Sequence, residues 1–231
     1  MKTFLILIAV SWTIFAAPLL YATEAATEAH ATKALTDEEI DAVWKDLMDG
    51  NKRFVSGEMK KHDVVAEREA LASGQKPKVI VLACADSRVS PELIFDKGLG
   101  DLFVVRIAGN IADKIALGSI EYAVEHMHPT LMVIVGHEKC GAVAAAASKD
   151  EMPSQNLKAL VDQIRPSILN IKTDAQGDEL ALLQVQANVN QSAMDVLKNS
   201  AIIRTALEEK KIALVKAVYK LKSGEVVKLS K

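Results

Sequence analysis

Lys78-Val79-Ile80-Val81-Leu82-Ala83-Cys84-Ala85-Asp86-Ser87-Arg88 begins as an unbroken apolar run and turns abruptly into reactive and charged side chains. The run is rich in β-branched residues and follows Pro77, which is the composition of a strand covered on both faces. Leu102-Phe103-Val104-Val105 and Leu131-Met132-Val133-Ile134-Val135 have the same character. A helical pattern from about Ile115 to His126 separates them. Strand–helix–strand alternation of this kind predicts an α/β fold with a mainly parallel β-sheet flanked by helices.

Upstream, Thr36-Asp37-Glu38-Glu39 reads as a helix start with acidic residues in the first turn, and Ile40, Val43, Trp44, Leu47 and Met48 follow at helical spacing. This N-terminal helical arm is expected to end near Gly50 or to continue to Phe54. A second, polar helix is expected from about Val64 to Ser73, stopping at Gly74. Downstream, an Ala-rich helix begins after Gly141, and the region 154–211 is mostly helical with breaks expected at Pro166 and Gly177. Ala213 to Tyr219 and Glu225 to Leu229, separated by Lys222-Ser223-Gly224, predict a terminal hairpin or edge strands. The fold proper is thus expected over 36–231.

Lys2, an apolar run from Phe4 to Phe15 and the small residues after it resemble a secretory signal, with cleavage expected after Ala22. The apolar segment is short and no basic cluster follows it, so no stable membrane anchor is expected after cleavage. The low-complexity stretch 23–35 reads as a flexible linker. The mature protein is therefore expected to be exported, either periplasmic or secreted. Half of the 231 residues are hydrophobic, enough for a single buried core. The net charge of −2 lacks the basic excess of a nucleic-acid binder.

Cys84 and Cys140 are the only cysteines, and in an exported chain their first reading is a disulfide. Their positions suggest another. Cys84 follows one buried strand directly and His137 ends another, so parallel strands bring both to one carboxyl edge of the sheet. Cys140 lies three residues beyond His137, at the expected start of a helix. Two thiolates and an imidazole suit zinc, and three protein ligands with one open position mark a catalytic centre. The fourth position falls to water, to a distant histidine or to a carboxylate, of which Asp86 is the nearest. Arg88 sits two residues further on. Its spacing from Cys84, with three residues between, is two short of the Cys-x5-Arg phosphatase pattern.

Cys84-x-Asp86-x-Arg88 with His137-x-x-Cys140 resembles the β-class carbonic anhydrases. The blocks VLACADSRVSPELIF, GDLFVVRIAGN, GSIEYAV and VIVGHEKCGAV are similar to family segments in family order, and Gly50-Asn51-Lys52-Arg53-Phe54 agrees more loosely. The resemblance implies reversible hydration of CO2 to bicarbonate and a proton through zinc-bound hydroxide, with one zinc ion per subunit held by Cys84, His137 and Cys140. It gives Asp86 and Arg88 as a catalytic dyad, the arginine holding the aspartate off the metal; in a closed form Asp86 would be the fourth ligand. Gln75, Phe103, Tyr122 and Gly141 match substrate-pocket positions of plant-type members, Gln75 and Phe103 at or near a dimer interface. Val81 stands where members with a regulatory bicarbonate pocket carry Trp, which implies the open, plant-like form. A homodimer or larger homo-oligomer is implied, with Trp44 on an arm that wraps a partner. Two other functions share these residues: hydrolysis of CS2 or COS on the same scaffold, and non-catalytic zinc binding.

Overall fold

The computed structural model describes residues 33–169 and 171–230. The expected signal peptide and all but the end of the expected linker lie outside the described residues.

Thr36 starts the first helix, α1 (Asp37–Ser56), with a complete capping box. The Glu39 N–H donates to Thr36 Oγ1 at 3.2 Å, and the Thr36 N–H donates to the Glu39 carboxylate at 2.7 Å. α1 passes straight through Gly50, because that position is a contact rather than a stop. A Cβ built on Gly50 would stand 1.8 Å from the Phe95 carbonyl oxygen. The neighbouring Asn51 side chain, almost fully buried, donates to the Ile94 and Gly224 carbonyls at 2.9 and 2.8 Å and accepts from the Val226 N–H at 2.9 Å. Gly50→Ala should gain about 1 kcal/mol of helix propensity yet force α1 off this backbone. The net expectation is a loss of about 2 kcal/mol, read as a lower urea midpoint; an unchanged midpoint would mean that α1 docks more loosely than this.

The remaining elements are α2 (Val64–Ala70), β1 (Val79–Ala83), α3 (Pro91–Ile94), β2 (Leu102–Arg106), a 3-10 turn (Ala108–Asn110), α4 (Lys114–Met127), β3 (Leu131–His137), α5 (Gly141–Ala147), α6 (Gln155–Leu169), α7 (Gly177–Asn199), α8 (Ala201–Glu208), β4 (Ala213–Tyr219) and β5 (Val226–Lys228). The sheet order is β2-β1-β3-β4-β5, parallel except for the β4–β5 pair. Alternate residues of the central strands enter two cores, which is why these runs are apolar throughout. Ile80, Leu82, Met132 and Ile134 pack with residues of α4 to α8. Val79, Val81, Val133 and Val135 pack under α1 and α3. Trp44 belongs to this second face and lies 5.6 Å beneath the Lys228 ammonium, so the described part of the arm packs on its own sheet.

In the C-terminal half two expectations hold and one, the break at Pro166, changes. The terminal hairpin forms as expected, with β5 at the edge and β4 paired along its whole length with β3. α6 runs through Pro166, which lies on its exposed side while Val161 and Ile164 hold the other side in the core. The helical region does break ahead of Gly177, between α6 and α7, and breaks again at Ser200, whose hydroxyl accepts from the Ile203 N–H at 3.1 Å and donates to Glu121 at 2.6 Å. Among the described residues no helix is long and apolar enough to cross a membrane.

Candidate metal centre

Ala83, the last residue of β1, pairs with Val135 of β3 and with Arg106 of β2. Cys84 therefore leaves the sheet beside Gly136, next to His137, at the carboxyl edge where parallel sheets place their ligands. The chain then turns through Glu138 and Lys139 into α5, and Cys140 occupies its N-cap position. Two segments remote in sequence thus meet: the Cys84, His137 and Cys140 donor atoms all lie within 4.8 Å of one another, and all three residues are buried. The two sulfurs are 3.9 Å apart and both thiols are free, so they are not a disulfide.

His137 is fully buried. Its Nδ1 lies 2.8 Å from the Glu138 carbonyl oxygen and donates to it, which leaves the lone pair on Nε2. Nε2 is buried and without a hydrogen-bond partner; the nearest Asp86 oxygen is 3.8 Å away. An imidazole nitrogen held in that state beside two thiols is a donor set waiting for a soft cation, and the residues fit zinc. The thiols are unequal. The Cys140 S–H donates to the Cys84 sulfur, which also receives the Gly109 N–H at 3.2 Å; together these push the Cys84 thiol well down against the opposing effect of burial. Cys140, holding that proton and buried, is pushed up.

Asp86 and Arg88 form a bidentate pair: Nε donates to Oδ1 at 2.9 Å and Nη2 to Oδ2 at 2.7 Å, while the Arg88 backbone N–H adds a third bond at 3.0 Å. The Arg88 guanidinium holds the Asp86 carboxyl well below the usual carboxylate range; burial opposes this, and the Arg88 N–H reinforces it. The sequence did not single out Arg106, whose guanidinium donates to the Cys84 and Asp86 carbonyls at 3.0 and 2.6 Å and fixes the turn that carries both. Nor did it single out Gly109, although both residues lie in the family-like block GDLFVVRIAGN.

The four pocket positions are spread more widely within one subunit. Phe103 packs half-buried against the core that contains Cys84 and Cys140, and Gly141 follows Cys140 on the exposed surface. Tyr122 is 55% exposed on α4, its ring centroid 4.6 Å from that of His126. Gln75 lies in a separate groove lined by Arg68, Leu71, Leu99 and Gly100.

The carbonic anhydrase family profile matches residues 79–226, from the first residue of β1 to the first of β5. The chain is 39% identical over 192 residues to carbonic anhydrase 2 of Mycobacterium tuberculosis, covering 80% of this chain and 91% of that protein. Its fold is similar to that of the β-carbonic anhydrase CcaA, with TM-score 0.65 and 26% identity over 82% of this chain and 88% of the other. It is also similar to a tetrameric β-carbonic anhydrase of the ascomycete Sordaria macrospora, with TM-score 0.64 and 26% identity over 82% and 98%. The match in sequence runs across the whole sheet, and the paired thiols and imidazole stand at that sheet's carboxyl edge; this chain belongs to the β-class carbonic anhydrases.

Proposed function

We propose that the chain hydrates CO2 reversibly to bicarbonate and a proton, with one zinc ion per subunit held by Cys84, His137 and Cys140. The observation that carries this reading is the unpartnered, buried Nε2 of His137 facing two free thiols. When bound there, zinc supplies a Lewis acid that brings the ionisation of water toward neutral pH, less far under two thiolates than under three imidazoles.

The chain's own groups supply orientation and exclusion. The Glu138 carbonyl fixes the His137 ring, and the Gly109 N–H and Arg106 fix Cys84. Both Asp86 oxygens are engaged by Arg88, which favours the open, plant-like form over Asp86 as a fourth ligand. Held there and ionised, Asp86 accepts a hydrogen bond from the reacting water and aims its lone pair at the substrate carbon. Phe103, Tyr122 and Gly141 would wall the pocket for an uncharged gas, and Gln75 would donate to a substrate oxygen.

Association of two copies supports that pocket. β2 is an edge strand whose residues Leu102 to Val105 are only half-buried, an apolar edge of the kind that proteins cover. Pairing there would bring a second subunit toward Phe103, and the tetrameric relative shows that larger assemblies occur on this fold. The N-terminal pattern supports export to a periplasm or beyond.

Stopped-flow CO2 hydration across pH tests the reading. The rate of the zinc-loaded protein is expected to rise toward alkaline pH, with a midpoint between about 7 and about 9. Asp86 stays ionised throughout because its carboxyl is held low, so it adds no inflection in that range. A profile flat from weakly acidic to alkaline pH would contradict the two-thiolate site.

A further inference from the structure

α7 fastens the turn that touches the metal centre through bonds that the reaction chemistry alone does not call for. Its residues Asn188 and Ser192, one helical turn apart, are both almost fully buried. They face the 3-10 turn that follows β2. Asn188 Nδ2 donates to the Gly109 carbonyl at 2.7 Å. Ser192 Oγ donates to the Asn110 carbonyl at 2.9 Å and accepts from Asn110 Nδ2 at 3.3 Å. The turn needs such fastening, because Gly109 and Asn110 both have positive φ, 71° and 45°. On its other side a Cβ on Gly109 would stand 2.5 Å from Ile164 Cδ1 and 3.2 Å from Ala142 Cβ, so α5 and α6 press the same peptide. This enclosed turn presents the Gly109 N–H to the metal centre, 3.2 Å from Cys84 Sγ.

We propose that Asn188 is a positioning residue of the metal centre, supported by Ser192, which holds the Gly109 N–H on the Cys84 sulfur and so limits how much negative charge that thiolate passes to zinc. This rests on the zinc reading above. A hydrogen bond to a ligand sulfur draws electron density from it, and outer partners of this kind tune both the metal and the water it acidifies. Loosening the turn leaves the sulfur richer in electrons, the metal a weaker Lewis acid and the water less acidic. The same change lowers the energy of sulfur-to-metal charge transfer.

Asn188→Ala and Ser192→Ala, each loaded with zinc and separately with Co(II), read both consequences. In Asn188→Ala the midpoint of the hydration profile should move up by about one pH unit, so the rate near neutral pH falls about 10-fold while the alkaline plateau is kept. The sulfur-to-cobalt absorption should move to longer wavelength. Ser192→Ala should shift both in the same direction by less. Val196→Ala, equally buried and one helical turn beyond Ser192 but with no hydrogen bond to the turn, should lower stability and move neither. In the wild type loaded with 113Cd, the Gly109 amide proton should show coupling to cadmium through the Cys84 sulfur, a readout that needs no variant to fold. Variants with wild-type midpoint and absorption, or a Gly109 amide without that coupling, overturn the assignment while leaving the zinc reading intact. A wild type that takes up neither zinc nor Co(II) overturns both.

Discussion

Cys140→Ser is expected to fold and to lose the metal. Serine is smaller than the cysteine it replaces and fits the same space, and α5 keeps its N-cap, for which serine is the better residue. What disappears is a thiolate. With two donors left, zinc affinity should fall on the order of 10³-fold or more, beyond the 10- to 100-fold typical of losing an outer partner. CO2 hydration should fall at least as far, because the acidification of water goes with the metal. Zinc content after dialysis, hydration rate and far-UV circular dichroism on the same sample separate the effects. A variant that keeps stoichiometric zinc and wild-type hydration would remove Cys140 from the centre.

Asp86→Asn is expected to do the converse: zinc stays and the rate drops. The change is nearly isosteric, but it replaces a charged acceptor with a neutral group that can turn a donor toward the site. Arg88 Nη2, now 2.7 Å from Oδ2, would face an amide NH2, so the bidentate pair is halved. The oxygen lost is also the one 3.8 Å from His137 Nε2, placed to accept from the reacting water. Removing one preorganised group of this kind costs on the order of 10²-fold in rate. Stoichiometric zinc with hydration within about two-fold of wild type would reduce the Asp86–Arg88 pair to a surface ion pair of little energetic weight.

The parts of this fold that announce themselves in sequence are those whose chemistry is local. β1 and β3 are apolar at every position because both faces are covered, and the abrupt change at Cys84 and His137 marks where the sheet ends and the site begins. The Thr36–Glu39 box is equally local. The place of β4 in the sheet is not, since pairing partners leave no trace in a strand's own composition; only the packing of α7 and α8 brings it back beside β3. Pro166 misled because propensity speaks for an isolated helix, whereas α6 is held by its buried side. The break at Ser200 depends on Glu121, far away in α4. Within the site, Cys84, His137 and Cys140 were legible from residue type and strand ends. Gly109 and Arg106 were not, because they act through backbone groups, and Asn188 and Ser192 look like any polar residues on a helix until the turn they fasten is seen.

Zinc K-edge X-ray absorption on the full protein probes the centre most directly. Two sulfur neighbours at about 2.3 Å and two light neighbours at about 2.0–2.1 Å are expected, one nitrogen from His137 and one oxygen from water. A metal shell with no sulfur, or purified protein that holds no zinc and carries Cys84 bonded to Cys140, would contradict the three-ligand centre on which the proposed activity stands.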